Sequence, residues 1–247
     1  MRCLTTDELK SFNGAGQSVE REFKAIFFDL DGTLVDIHGP LYIAARQALD
    51  EMGHQPPLTR EAFDSAMARN DLWMGLPESM RRDYAKLAFA YLMTESDKAE
   101  RLEVLPHVPE TLAEIKRRGY VTGVITSRPG NPRPLVEKLA MVGLAHYLDH
   151  VSTQATLSLK ALDKSESLRQ TAIRAAVIPA ACMYVGDEPR DIMAAANAGF
   201  GSAVAVATGA ASYEHLCGHP QFKPDFVMRS IGELPGLLER LRDNGKF

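Results

Sequence analysis

The chain has 247 residues, which is enough for one large domain or for a core that carries a smaller insert. Its hydrophobic content of 45%, charged content of 24% and net charge of −4 are typical of a globular protein without a basic stripe, so we expect no nucleic-acid partner. No apolar run approaches the roughly 18 residues of a membrane helix, and the N-terminus lacks a signal-peptide pattern. The three cysteines have no metal-ligand spacing and favour a reducing, cytoplasmic setting.

Residues 1–22 form a turn-rich stretch without periodicity, which we interpret as an N-terminal extension. The apolar run 25–28 that follows predicts a buried strand, and two carboxylates, Asp29 and Asp31, stand where this strand should end. Side-chain alternation along a strand sends both carboxylates to the same side, and Gly32 marks a turn.

Two carboxylates this close repel each other, and a cation between them lowers that repulsion. Mg²⁺ is the expected cation, because it prefers oxygen ligands and commonly binds one or two carboxylates together with phosphate. A strand followed by an ordinary acidic turn is the alternative that this stretch alone leaves open.

Residues 38–104 are predicted to be a helical insert with no convincing strand. Apolar residues from Leu41 to Met52 repeat at helical spacing, Thr59 is a good cap for a second helix, and a third is predicted over 77–93. The insert therefore indicates a small, separate all-helical unit.

From residue 105 to residue 247 strands and helices alternate, which predicts a doubly wound α/β fold with a parallel sheet covered by helices on both faces. The predicted strands cover 120–126, 149–153, 182–185, 202–208 and 225–228, and the predicted helices cover 109–118, one opening at 131–132, 165–176, 189–198 and a C-terminal helix around 234–241. The ligand crevice of such a sheet lies at the carboxyl ends of its strands.

Three polar clusters follow three of these predicted strands. They are Asp29 with Asp31, Thr126 with Ser127, and Asp187 with Asp191. Each cluster alone could cap a helix, but parallel strand ends meet at one edge of a sheet. Together the clusters predict one shared crevice.

These clusters resemble the motifs of the haloacid dehalogenase (HAD) superfamily. Asp29, Asp31 and Thr33 match motif I, the strand ending in Thr126 is similar to motif II, and 186–191 before an alanine-rich helix resembles motif IV. The resemblance covers about residues 23–242 and is to phosphoglycolate-phosphatase-like members with a helical cap after motif I. It implies a HAD-like core formed by 23–37 and 105–247, with 38–104 as the cap domain.

Motif III of this superfamily supplies a lysine between motifs II and IV. Lys164 opens the predicted helix before the motif IV strand and is the first choice. Lys160 remains open as the alternative, because loop length cannot be fixed from the sequence.

The resemblance implies a Mg²⁺-dependent phosphatase that works through an aspartyl-phosphate on the nucleophile Asp29. Asp31 is the implied general acid and base, an acid that dehalogenases and phosphonatases of the superfamily lack at this position. Thr126 and Lys164 are implied to bind the phosphoryl group. Asp29, Asp187 and the Asp31 carbonyl are the implied metal ligands, and Asp191, Gly32, Thr33 and Ser127 are expected to support them or to contact substrate.

The substrate is expected to be a small-molecule phosphate ester, and the protein a monomer or homodimer. Arg69 and Trp73 lie in a cap turn that is a candidate specificity loop, with packing inside the cap as the equal alternative for Trp73. Arg128 is hypothesised to reach an anionic group of the substrate, because arginine suits carboxylate recognition. A sugar phosphomutase and a non-catalytic phosphate-binding protein remain the alternative functions.

Overall fold

A computed structural model describes residues 22–69, 71–98, 102–154 and 163–243. The expected extension up to residue 21 and Lys160 lie outside these ranges. The strands are β1 (Ala25–Phe28), β2 (Val121–Pro129), β3 (His150–Gln154), β4 (Cys182–Gly186), β5 (Ser202–Val206) and β6 (Phe226–Met228). The helices are α1 (His38–Glu51), α2 (Arg60–Ala68), α3 (Glu78–Lys98), α4 (Val108–Arg117), α5 (Arg133–Met141), α6 (Ser165–Arg174), α7 (Pro189–Ala198), α8 (Tyr213–Gly218) and α9 (Leu234–Asp243).

The six strands form one sheet in the order β3-β2-β1-β4-β5-β6, and every neighbouring pair is parallel. Strands β2 and β3 therefore lie on one side of β1, and β4, β5 and β6 follow one another on the other side. This reversal between β1 and β4 is where doubly wound sheets bind their ligands. The predicted α/β fold with a parallel sheet is confirmed.

Both faces of the sheet are covered, so its central strands are apolar on both sides. Ile26 and Phe28 of β1 pack into one hydrophobic cluster, while Ala25 and Phe27 pack into the other, and all four side chains are fully buried. A strand buried on both faces requires a continuous apolar run rather than alternation. This explains why residues 25–28 contain no polar side chain.

The helices begin and end where the sequence supplies local signals. Thr59 accepts a hydrogen bond from the Ala62 amide at the start of α2, as expected of an N-cap. Helix α7 begins at Pro189 and ends before Gly199, whose φ of 77° is the left-handed conformation that stops a helix.

Helices α1, α2 and α3 share a hydrophobic cluster of their own, separate from the two clusters of the sheet. Leu49, Phe63 and Tyr84 lie at its centre, one from each helix. Both connections to the core pass close together, since Val35 pairs with Val104 in an antiparallel bridge. The apolar spacing of the sequence thus produces three helices that pack on one another beside the sheet.

The structure differs from the sequence predictions at several boundaries. Strand β2 continues past Thr126 to Pro129 through an irregularity between Ile125 and Pro129, and α3 extends five residues beyond 93. Helix α8 was not predicted, because six residues after the Ser212 cap are too few for periodicity. No helix in the described part of the chain is long and apolar enough to span a membrane.

Candidate active site

Neighbouring strands bring the three predicted polar clusters together. Asp29 follows β1, Thr126 lies near the end of β2, and Asp187 follows β4, while β1 lies between β2 and β4 in the sheet. The Asp29 amide donates to the Val185 carbonyl at 2.8 Å, which extends the β1–β4 pairing as far as the first carboxylate. These residues line one cavity together with Asp31, Ser127 and Lys164.

Lys164 joins two carboxylates at the centre of the site. Its Nζ donates to Asp29 Oδ1 at 2.6 Å and to Asp191 Oδ1 at 2.8 Å. All three side chains are buried, so each contact is a desolvated, charge-assisted hydrogen bond. Lys164 immediately precedes α6, which fixes its backbone at the edge of the cavity.

Asp187 is held by groups from both adjacent loops. Its Oδ1 accepts from the Thr33 hydroxyl at 3.3 Å, and its Oδ2 accepts from the Ala210 amide at 3.3 Å. Two glycines make room for this carboxylate. A Cβ on Gly32, whose φ is 78°, would lie 2.5 Å from Asp187 Oδ2, and a Cβ on Gly209 would overlap the same oxygen.

Asp191 is occupied on both oxygens. Besides its contact with Lys164, its Oδ2 accepts from the Glu188 amide at 3.1 Å. That bond belongs to a capping box in which Glu188 caps α7 and Asp191 stands three residues into the helix. Asp191 therefore connects the start of α7 to the lysine at the centre of the site.

The electrostatics of this cluster favour an added positive charge. Burial raises the pKa of Asp29 to about 7 despite the opposing effect of Lys164. Burial, together with nearby Glu188, Asp29 and Asp191, raises the pKa of Asp187 well above its usual value. Burial opposes the charge of Lys164, but Asp191 and Asp29 raise its pKa above the usual value. Three buried carboxylates therefore share one lysine, and their mutual repulsion remains in part uncompensated.

A divalent cation fits these donors. Ligand oxygens of Asp29, Asp187 and Asp191 all lie within 4.8 Å of one another, and the three side chains are buried. Burial, with repulsion between the carboxylates as a smaller cause, raises the pKa of Asp29 and Asp187, and a hard cation that prefers carboxylate oxygens would offset both effects. The site can thus hold a metal ion, and Asp191, expected to support the ligands, contributes a third carboxylate to this group.

Asp31 faces a guanidinium on the neighbouring strand. Arg128 donates from Nε to Asp31 Oδ2 at 2.8 Å and from Nη2 to Oδ1 at 2.6 Å. The amide of Arg128 also donates to Thr126 Oγ1 at 3.2 Å. Because that hydroxyl accepts from the amide, its own hydrogen remains able to point elsewhere. The structure thus gives Arg128, which was expected to reach the substrate, a partner within the protein.

Residues of the helical unit α1–α3, with one residue immediately before it, line another side of the cavity, and none of them was predicted as a site residue. These residues are Ile37, Leu41, Phe89, Leu92 and Met93. Phe89, Leu92 and Met93 repeat at the i, i+3, i+4 spacing of one helix face, a signal that could have identified them. They were missed because the opposite face of α3 is also apolar and packs into the cap.

Two candidate residues of the cap turn do not reach this cavity. Arg69 donates to Ser65 at 2.5 Å on the same helix, and the Trp73 ring lies 5.6 Å from the Arg81 guanidinium. Neither is among the residues that line the cavity. Lys160, the alternative to Lys164, falls outside the described residues.

Comparison with known proteins decides the family. Residues 26–205 match the model of the haloacid dehalogenase-like hydrolases. The chain belongs to the haloacid dehalogenase-like hydrolase family. This match includes Asp29, Thr126, Lys164 and Asp187, so the resemblance drawn from the motifs is confirmed.

Two similar proteins of named activity align with most of the chain. The chain is 28% identical over 230 residues to the phosphoglycolate phosphatase of Vibrio parahaemolyticus. This alignment covers 87% of this chain and 96% of that protein. The chain is 31% identical over 248 residues to the glyceraldehyde 3-phosphate phosphatase of Pyrococcus furiosus, with 91% and 96% covered. The expected enzyme class, a hydrolase of phosphate monoesters, is confirmed.

Solved structures share this fold. A crystal structure of a predicted phosphoglycolate phosphatase from Haemophilus somnus superposes with a TM-score of 0.61 at 22% identity, over 87% of this chain and 98% of that one. At this identity the likeness shows the fold, and it confirms the HAD-like α/β core.

Proposed function

We propose that this enzyme is a Mg²⁺-dependent phosphatase that hydrolyses a small-molecule phosphate monoester through an aspartyl-phosphate on Asp29. One observation carries the proposal: the buried Asp29 carboxylate lies at the end of β1, hydrogen-bonded to Lys164 and within 4.8 Å of the Asp187 and Asp191 carboxylates. A carboxylate that has both a lysine and a metal-binding group beside it is equipped to attack an anionic phosphate.

Asp29, Asp187 and the backbone carbonyl of Asp31 are the proposed metal ligands, with Asp191 beside them. The raised pKa values of Asp29 and Asp187 support this assignment, because they mark carboxylates whose charge the protein alone leaves incompletely balanced. When bound, Mg²⁺ supplies positive charge next to the transferring phosphoryl group.

Asp29 is the proposed nucleophile. One carboxylate oxygen attacks phosphorus in line, the bond from phosphorus to the ester oxygen breaks, and the alcohol leaves. Lys164 orients the Asp29 carboxylate, because its ammonium group donates one hydrogen bond to Asp29 and another to Asp191. Its positive charge also lowers the repulsion between the attacking carboxylate and the phosphate oxygens.

Asp31 is the proposed general acid and base. It gives a proton to the departing alkoxide, and it then takes one from the water that attacks the phosphorus of the aspartyl-phosphate. The bond from phosphorus to the Asp29 oxygen breaks in this second step, which releases phosphate and restores the Asp29 carboxylate. The two hydrogen bonds from Arg128 orient the Asp31 carboxylate in the structure without substrate. We therefore propose Arg128 as a positioning residue that acts through Asp31.

Thr126 and Ser127 are proposed to bind the phosphoryl oxygens from β2. The Thr126 hydroxyl accepts from the Arg128 amide, so its hydrogen can be donated to the substrate. Both residues line the cavity beside Asp29. Gly32 and Thr33 act indirectly, since one makes room for Asp187 and the other donates to it.

Helices α1–α3 are proposed to act as a cap over this cavity. Ile37, immediately before α1, and Phe89 of α3 line the same cavity as Asp29, which follows β1. Closure over the site would exclude water from the charged cluster and strengthen its electrostatic interactions. The specificity role of Arg69 and Trp73 is not supported by their positions.

The test is phosphate release from an aryl phosphate with and without Mg²⁺, in the wild type and in Asp29→Asn. The proposal predicts Mg²⁺-dependent release that vanishes in Asp29→Asn. Release that persists in this variant would overturn the assigned nucleophile. Incubation with a sugar phosphate and a bisphosphate activator distinguishes a mutase, which would isomerise the sugar phosphate instead of releasing phosphate.

A further inference from the structure

The cavity above Asp29 has two chemically different walls. On the side of the sheet, charged and hydroxyl side chains surround the phosphoryl position. On the side of the cap, five described residues line it, and all five are apolar: Ile37, Leu41, Phe89, Leu92 and Met93. We call these five residues the cap wall.

The cap wall is not part of the hydrophobic centre that holds the cap together. Of its five members only Leu41 packs against the shared cluster of α1, α2 and α3. Phe89, Leu92 and Met93 instead form one face of α3 that is half-buried over the cavity. Apolar side chains that face a cavity rather than a core can gain stabilisation by packing against an apolar ligand.

The cations that line the cavity are engaged by protein carboxylates. Arg128 binds Asp31 through two hydrogen bonds, and Lys164 binds Asp29 and Asp191. Arg190 donates from Nε to Glu188 Oε2 at 2.8 Å, and both residues line the cavity. A second anionic group on the substrate would have to displace one of these partners.

The cap wall would also disfavour an anionic or strongly hydroxylated leaving group directly. The five side chains carry no charge and no hydrogen-bond donor. Their one acceptor is the Met93 sulfur, which is weak. A carboxylate that loses water against such a surface without a new partner is destabilised, whereas a methyl or methylene group is stabilised.

We propose that the substrate's leaving group is an uncharged, apolar alkyl or aryl alcohol that packs on the cap wall. This inference rests on the proposed phosphatase function and names its substrate class. It separates this enzyme from the relatives whose names specify phosphoglycolate, since glycolate carries a carboxylate. The cavity of about 100 Å³ is small, so the cap opens to admit the ester and closes on it.

The first test compares two esters that differ only at the end of the chain. Butyl phosphate and 3-carboxypropyl phosphate have the same length, and the second carries a carboxylate where the first has a methyl group. The inference predicts kcat/KM about 10- to 100-fold higher for butyl phosphate, as expected for an uncompensated buried charge. Equal values, or a preference for the carboxylated ester, would overturn it.

A charge placed in the cap wall should reverse part of this preference. Leu92→Arg puts a guanidinium over the cavity, and the ratio of the two kcat/KM values should shift at least about tenfold toward the carboxylated ester. Ala90→Arg is the matched control, because it adds the same side chain to an exposed position of α3 outside the cap wall. A shift of the same size in Ala90→Arg would show a general charge effect and contradict the assigned position of the leaving group.

Binding of phosphonates separates this inference from the proposed catalysis. Pentylphosphonate and 4-carboxybutylphosphonate cannot be hydrolysed, and their affinities for the Mg²⁺-loaded protein can be measured by calorimetry. Tighter binding of pentylphosphonate by about 10-fold supports the apolar class even if no ester is turned over, in which case only the proposed catalysis fails. Tighter binding of the carboxylated compound, equal binding, or no binding of either would overturn the inference.

Discussion

Arg128 and Asp31 form a two-pronged ion pair across neighbouring strands, with distances of 2.8 and 2.6 Å between the donor nitrogens and the carboxylate oxygens. Both side chains are largely shielded from solvent, with exposed fractions of 9% and 14%. This pair fixes the carboxylate that is proposed to move protons in both half-reactions. It also directs the guanidinium toward a proposed catalytic group.

Replacing Arg128 should therefore reduce kcat by the same factor for charged and uncharged leaving groups. Arg128→Ala removes both hydrogen bonds to Asp31, and Arg128→Lys cannot restore the two-pronged geometry. We expect kcat to fall about 100-fold in each variant, because misplacing a catalytic group by about 1 Å has an effect of this size. The measurement is kcat and KM on butyl phosphate and 3-carboxypropyl phosphate, and a loss confined to the carboxylated ester would show that Arg128 binds substrate instead.

Lys164 should be needed for stability when the metal is absent. Lys164→Met removes the ammonium group that is hydrogen-bonded to the buried Asp29 and Asp191 carboxylates, and breaking a buried ion pair on one side costs about 3–5 kcal/mol. Urea unfolding in EDTA should show a loss of this order. Saturating Mg²⁺ should restore part of the stability in the variant, and a loss below 1 kcal/mol in EDTA would contradict the described contacts.

Mg²⁺ affinity should fall as the pH is lowered through about 7. Burial raises the pKa of Asp29 to about 7, so this carboxyl carries a proton below that pH, and the ion must displace the proton to bind. The dissociation constant should rise at least about tenfold for each pH unit below 7. Calorimetry between pH 5.5 and 8 in two buffers of different ionisation enthalpy measures both the affinity and the proton release. An affinity that is constant over this range would contradict the raised pKa of Asp29.

Alanine substitutions at Gly209 and Gly218 should have very different effects on kcat/KM. A Cβ on Gly209 would overlap the Asp187 carboxylate, whereas a Cβ on Gly218 meets no atom within 4 Å. Gly209→Ala is expected to lower kcat/KM at least about 100-fold by displacing a proposed metal ligand, since such groups tolerate about 0.5 Å of movement. Gly218→Ala should stay within about twofold of wild type. Near-normal activity in Gly209→Ala would show that Asp187 need not hold its described position.

The sequence predicted the frame of the molecule well because its signals are local. Helix α7 was predicted with its observed bounds, since Pro189 and Gly199 mark its two ends. The apolar run before Asp29 identified β1, because only a strand covered on both faces needs such a run in this context. Helix α8 lacked both length and periodicity, and the end of β2 depends on an irregular pairing with β3 that no local pattern shows.

The sequence predicted which motif residues meet at the site, but it did not predict contacts between side chains that are far apart in the chain. The motif residues converge as expected, because parallel strand ends share one edge of the sheet. The pairing of Arg128 with Asp31 spans 97 positions of sequence, and nothing near Arg128 distinguishes this partner from a substrate anion. The cap wall was missed for a related reason: both faces of α3 are apolar, and only the packed structure shows which face turns to the cavity.

The covalent role of Asp29 is the central claim, and the configuration at phosphorus tests it most directly. A phosphorothioate monoester made chiral with two oxygen isotopes is hydrolysed in water that carries the third isotope, and the configuration of the released thiophosphate is determined. An aspartyl-phosphate requires two in-line displacements, each of which inverts phosphorus, so the account predicts net retention. Net inversion would mean that water attacks the substrate in a single step, and it would contradict Asp29 as the nucleophile.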